Sequence, residues 1–142
     1  MLAETLPLLD QNDYPRFRDS MPPSELREGK YVVRFASSSE ELDEVLRLRF
    51  EVFNLELGEG LESSFYTGRD MDEHDLACHH LLVIETASEK VVGTYRLQGG
   101  AMAAAAKGFY SATEFDLSRL PLEVLEDSVE LSRACIAKEY RN

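Results

Sequence analysis

Only two of the 142 residues are cysteine, Cys78 and Cys135, and they stand far apart. That excludes a disulfide scaffold and leaves no spaced thiolate pair for zinc, so free thiols in a reducing compartment are expected. Basic residues are also scarce, with 15 Lys and Arg against 27 Asp and Glu and a net charge of −12. Phosphate backbones repel such a chain, and no local basic patch offsets the deficit, so nucleic acid is not expected as a partner. Long apolar runs are missing too. The Ala/Met tract from Ala101 to Ala106 is far too short for a bilayer, and Met1-Leu2-Ala3-Glu4 puts an acid where a secretory signal needs bases. A cytoplasmic protein is expected. No internal repeat is present. The hydrophobic fraction of 44% is that of an ordinary globular protein, and the length suits one domain with a real core.

Proline is concentrated at one end, with Pro7, Pro15, Pro22 and Pro23 in a polar stretch that lacks periodicity. Residues 1–29 therefore read as an extended arm or linker, and 30–142 as the folded part. Tyr31 to Ala36 reads as a first strand. Ser38 and Glu41 are spaced as a capping box before a helix running from Ser39 to about Leu57. Leu42, Val45, Leu46, Phe50 and Phe53 form its apolar stripe, and Arg49 falls on that same stripe. An arginine there either snorkels at the stripe's edge or is buried with a partner. An acidic, glycine-punctuated loop fills 58–78. His79–Glu85 and Lys90–Leu97 read as a hairpin of two central strands, and Ser128–Ala137 as a last strand. The expected fold is α/β, a mainly antiparallel sheet with one helix packed on one face and the other face left to the arm, a partner or further chain.

Four charged clusters stand in these structured settings: Arg49 with Phe53, Asp72 with Asp75, Arg96, and Glu130 with Arg133. The last lies within the apolar strand Val129-Glu130-Leu131-Ser132-Arg133-Ala134-Cys135-Ile136. Buried acids and arginines need partners, so these groups are expected to converge at one edge of the sheet. In a regular strand Glu130 and Arg133 face opposite ways, and a bulge between them would bring both to one side. Asp72, Glu73, His74, Asp75, Cys78, His79 and His80 crowd nine positions but match no ligand spacing, and adjacent histidines on a strand point apart, so no metal is expected.

In their order and spacing, Arg49-x-x-x-Phe53, Asp72-Glu73-His74-Asp75, Val92-Gly93-Thr94-Tyr95-Arg96 and Glu130-Leu131-Ser132-Arg133 resemble the motifs of the acyl-homoserine-lactone synthases. They are similar also to the ornithine-lipid N-acyltransferases, often labelled hemolysins. Gly108-Phe109-Tyr110-Ser111 and Glu114-Phe115-Asp116-Leu117 look closer to that second, lipid-forming branch. Both groups belong to the GNAT superfamily, and the likeness runs from Tyr31 to Asn142. It implies transfer of a fatty acyl group from acyl carrier protein or acyl-CoA to the amine of an amino-acid-type acceptor, with no resident cofactor. It places Glu130, as proton acceptor, and Arg133 at the reacting centre, with Arg49, Phe53, Asp72, Asp75, Arg96 and Ser132 shaping the acceptor pocket. A lipid product would add peripheral contact with the inner membrane. GNAT enzymes hold the carrier's phosphopantetheine on a loop and helix directly after this strand, and Tyr140-Arg141-Asn142 resembles the entry to it. The expectation is thus the N-terminal half of a GNAT domain, inactive by itself, the alternative being a non-catalytic relative that serves as an interaction module.

Overall fold

A computed structural model describes residues 10–142; the first nine residues of the arm lie outside the described part. Five strands, β1 (Leu26–Glu28), β2 (Tyr31–Phe35), β3 (His79–Glu85), β4 (Lys90–Gly99) and β5 (Val129–Ile136), form one sheet. They pair in chain order and antiparallel throughout, so the sheet is a meander with β3 at its centre. Helix α1 (Ser39–Arg49) lies on one face, and two short helices, α2 (Gly100–Ala104) and α3 (Leu122–Glu126), fall between β4 and β5.

The α1 start follows from its sequence. Ser38 Oγ accepts the N–H of Glu41 at 3.2 Å. The reciprocal half of the capping box is displaced by one residue, because the Glu41 carboxylate takes the N–H of Ser37 at 3.0 Å and also binds Arg34. Leu42, Val45 and Leu46 are fully buried against Leu82 of β3, as the stripe requires. Beyond Arg49 the helix widens into a π-helix over Phe50–Glu56, marked by the bond from Leu57 N–H to Val52 C=O at 3.0 Å. The extra residue per turn changes the phase. Val52 is buried, whereas Phe50 is half-buried and meets the Phe65 ring edge-on at 5.6 Å.

Burial alternates along β3 and β4. His80, Leu82, Thr94, Arg96 and Gln98 are buried beneath α1, whereas Leu81, Val83, Tyr95 and Leu97 are only half-buried on the other side. The two faces therefore differ as the helix count predicts.

The arm reading needs correction over its described part. Leu26–Glu28 is a strand of the sheet, turned onto β2 through Gly29, whose φ of 56° suits a residue without a Cβ. Tyr14 is a core residue. Its ring packs edge-on against His80 at 5.4 Å and its hydroxyl donates to the Ala36 carbonyl at 2.8 Å. Sequence periodicity could not reveal a single anchor in a proline-rich stretch. Tyr14→Phe is expected to cost about 1 kcal/mol through loss of that buried bond, measurable by urea unfolding, while Tyr14→Ala should cost about 3 kcal/mol or more.

Candidate functional site

The end of α1, the 70–75 loop, β4 and β5 meet at a buried network of three arginines and three aspartates. Arg49, the last residue of α1, is fully buried. Its Nε donates to Asp70 at 2.9 Å, and its Nη1 and Nη2 grip both oxygens of Asp75 at 2.7 and 3.1 Å. Burial of this kind rules out the snorkelling alternative. Arg96 on β4 donates through Nη1 to Asp72 at 2.7 Å and Asp75 at 3.0 Å, and through Nε to Ser132 Oγ at 2.9 Å. Asp75 Oδ2 also accepts the N–H of Asp72 at 2.8 Å, which folds the loop around its own carboxylate. Burial alone would push the Asp75 carboxyl up, but Arg49 and Arg96 outweigh it and hold the group well below the usual carboxylate range.

Arg133 joins from β5 through a bulge. Thr94 pairs with Cys135 and Arg96 with Ser132, so Arg133 and Ala134 together oppose Tyr95. Arg133 has φ of +52°, left-handed backbone that costs a non-glycine residue about 1–2 kcal/mol. The bulge brings the guanidinium onto the network side, 3.7 Å from both Asp70 and Asp72. Its guanidinium carbon lies over the rings of Phe53 at 5.7 Å and Tyr110 at 6.0 Å.

Glu130 is held by backbone and not by an arginine. Its two carboxylate oxygens accept the backbone N–H groups of Tyr110 and Ser111 at 2.9 and 2.8 Å. This fixes the turn that lays the Tyr110 ring over Arg96 at 5.5 Å and against His74 at 5.6 Å. Glu130, Ser132, Tyr110 and Ser111 line one end of a groove of about 410 Å³, whose walls include Phe109, Leu117, Leu125 and Leu131.

Arg49, Phe53, Asp72, Asp75, Arg96, Ser132 and Arg133 are thus brought together, and Glu130 joins through the Tyr110 turn. Sequence reasoning missed Asp70 and Tyr110. Asp70 had a signal, since it stands two residues before Asp72 in an acidic loop; Tyr110 stands in the Gly108-Phe109-Tyr110-Ser111 segment that resembles the lipid-forming branch, but nothing there marks its ring as a neighbour of the arginines. Among the described residues no His, Cys, Asp or Glu side chains are grouped to hold a metal. The two histidines do point apart: His79 meets Ser20 at 3.1 Å, while His80 Nε2 donates to the Asp75 carbonyl at 2.8 Å. Neither thiol is an activated nucleophile, for burial pushes Cys78 up to about 12 and Cys135 to about 11.

His80 supplies a pH prediction. Burial holds it down at about 4 against the usual 6.5, despite the pull of Asp75. The unfolded chain therefore takes up a proton below pH 6.5 that the folded chain refuses until about pH 4, so stability is full above 6.5 and falls as the pH drops. At about 1.4 kcal/mol per pH unit, the loss between pH 6.5 and 5 is on the order of 2 kcal/mol. His79, also lowered by burial, adds in the same direction. Urea midpoints across that range should show the slope, and His80→Gln should remove most of it; an unchanged slope would place the titration elsewhere.

With the network and its groove in place, comparison with known proteins is decisive at the family level. The family described as acetyltransferase (GNAT) domain matches residues 48–142. The chain belongs to this GNAT family. Its similar relatives include a protein of Brucella abortus (strain 2308) named L-ornithine N(alpha)-acyltransferase, 41% identical over 82% of this chain and 44% of that protein. One of the same name from Rhizobium meliloti (strain 1021) is 36% identical over 99% of this chain and 51% of its own length. A third, from Agrobacterium fabrum (strain C58 / ATCC 33970), is 37% identical over 81% of this chain and 42% of that protein. The chain spans about half the length of the curated relatives it matches. No solved structure matches it significantly. Among the described residues no helix is long and apolar enough to cross a membrane.

Proposed function

We propose that this chain carries the amine-acceptor side of an N-acyltransferase, which moves a fatty acyl group from acyl carrier protein or acyl-CoA to the α-amine of an amino acid. Ornithine is the acceptor suggested by the names of the relatives. The observation that carries this reading is the charge-balanced Arg–Asp network beside a groove that holds Glu130 and Ser132 at one end. A zwitterionic acceptor needs groups of both signs at fixed positions, and the bonds among Arg49, Arg96, Asp70, Asp72 and Asp75 hold that scaffold fixed without reorganisation.

In this reaction the amine nitrogen attacks the thioester carbonyl, a C–N bond forms, the C–S bond breaks and the carrier leaves as its thiol. The amine must shed a proton. Glu130 is the proposed acceptor: two backbone N–H groups fix its carboxylate, and each oxygen keeps a second lone pair for that proton. Arg133 and Ser132 stand beside the reacting centre, and Arg49, Phe53, Asp72, Asp75 and Arg96 shape the acceptor pocket. No resident cofactor enters the scheme. Donor and acceptor place the reaction in the cytoplasm, with peripheral membrane contact through a lipid product.

The test is a chimera in which this chain replaces the matching part of the Brucella abortus relative. Supplied with a long-chain acyl carrier protein thioester or acyl-CoA and L-ornithine, it should yield N-acylated ornithine by mass spectrometry. A folded chimera that leaves ornithine unmodified with both donors would reject the reading.

A further inference from the structure

We infer that Arg133 is the donor that reads the acceptor's carboxylate, and that Tyr110 is the residue that positions it. This rests on the proposed acceptor site and assigns a role within it to an aromatic residue that the sequence motifs leave unassigned.

Three observations set Arg133 apart from the other two arginines. Arg49 and Arg96 are committed, each making several hydrogen bonds shorter than 3.2 Å to aspartates or Ser132. Arg133 approaches Asp70 and Asp72 only at 3.7 Å, beyond hydrogen-bond length, so charge holds it there while its N–H fork stays unspent. Its side chain also keeps 19% of its surface, whereas Arg49 and Arg96 keep 1% and 2%. It is the most accessible arginine of the network.

Its orientation is nonetheless tightly held. Phe53 and Tyr110 flank the guanidinium at 5.7 and 6.0 Å, and the left-handed backbone of the bulge aims it inward. The cation sits over two ring faces while its N–H donors make no hydrogen bond to the aspartates, and a free guanidinium fork suits a planar, two-oxygen anion. Tyr110 in turn is held by backbone, since Glu130 fixes the N–H groups of residues 110 and 111.

Beneath this fork lie buried atoms with no hydrogen-bond partner among the described residues: Arg96 Nη2, Asp70 Oδ1 and Asp72 Oδ2. These atoms are sealed from solvent, so the groups a ligand can reach are the partly exposed Arg133 and Asp72, which keep 19% and 13% of their side-chain surface and carry opposite charges. A carboxylate on Arg133, with the ligand's ammonium toward Asp72, would use both.

The test uses the 142-residue chain and two probes, L-ornithine and 1,4-diaminobutane, the same diamine without the carboxylate. Calorimetry should show ornithine binding at least about tenfold tighter, as one charged hydrogen-bonded pair implies. The Nε–H resonance of Arg133 should shift with ornithine and not with the diamine. Arg133→Gln should abolish the preference, bringing the ratio of the two affinities to within about twofold of parity. Tyr110→Leu should weaken ornithine binding about three- to tenfold, with Tyr110→Phe near wild type, because the ring face and not the hydroxyl holds the guanidinium. Equal binding of the two probes, or a preference that survives Arg133→Gln, would overturn the inference alone. If neither probe binds the wild-type chain, the acceptor-site reading fails with it. The resonance on the wild-type chain decides the matter even where a variant does not fold.

Discussion

Asp75→Asn is expected to destabilise the fold by about 3–5 kcal/mol, the largest loss from any single isosteric change in this chain. The asparagine keeps the volume but removes the charge shared by Arg49 and Arg96, and its amide nitrogen cannot accept a bond. Asp75 accepts from Arg49 at 2.7 and 3.1 Å, from Arg96 at 3.0 Å and from the Asp72 backbone at 2.8 Å. Both arginines are nearly inaccessible to water, so neither can turn outward for replacement solvation. Typical domains hold only about 5–15 kcal/mol in all, so the variant should unfold at much lower urea. Asp43→Asn is the control. Asp43 pairs with Arg47 at 3.1 Å and Arg69 at 2.6 Å, but Arg47 is exposed and Asp43 and Arg69 are only half-buried, so the change should cost about 1 kcal/mol. Similar losses from the two changes would mean that the buried network adds no stability of its own.

The contrast between Asp75 and Asp43 also explains how much of the site the sequence could reveal. Arg49 was legible because it interrupts an apolar stripe, and Glu130 and Arg133 because they interrupt an apolar strand. A charge in such a place needs a partner, and the acidic loop was the natural source. The hairpin, the α1 start and the bulge were legible for similarly local reasons: alternation, a cap and a conflict of facing. Tyr14, β1 and the Tyr110 turn were not. Each depends on a long-range contact made by a residue whose neighbours carry no pattern, as when Tyr14 reaches Ala36 and Glu130 reaches the backbone of Tyr110 and Ser111. The partners of Glu130 were hidden for a related reason. A carboxylate can be satisfied by backbone N–H groups, and these leave no trace in residue types. The π-helix after Arg49 is a further case, since it buries Val52 and leaves Phe50 half-buried.

In the chimera described above, Glu130→Gln should lower kcat by about 100- to 10,000-fold, the range lost when a positioned general base is removed. Glutamine has the shape of glutamate but cannot take a proton from an attacking amine, so the chemical step should suffer while KM for the thioester stays within a fewfold. The structure supplies a competing explanation that must be separated. Glu130 also holds the Tyr110 turn through two N–H groups, and glutamine can accept only one of them, with its own amide donors facing the other. If the turn were the whole effect, Glu130→Gln should mimic Tyr110→Leu: ornithine affinity would fall, and the loss in kcat/KM would come through KM. If Glu130 accepts the proton, ornithine affinity should change little, kcat should collapse, and Tyr110→Leu should leave kcat largely intact. The pH profile gives a second separation. A rate loss that raising the pH partly restores, as the fraction of neutral amine grows, marks a missing base, whereas a displaced turn lowers the rate equally at every pH. Undiminished kcat in Glu130→Gln would remove Glu130 from the chemistry and leave it as the anchor of Tyr110.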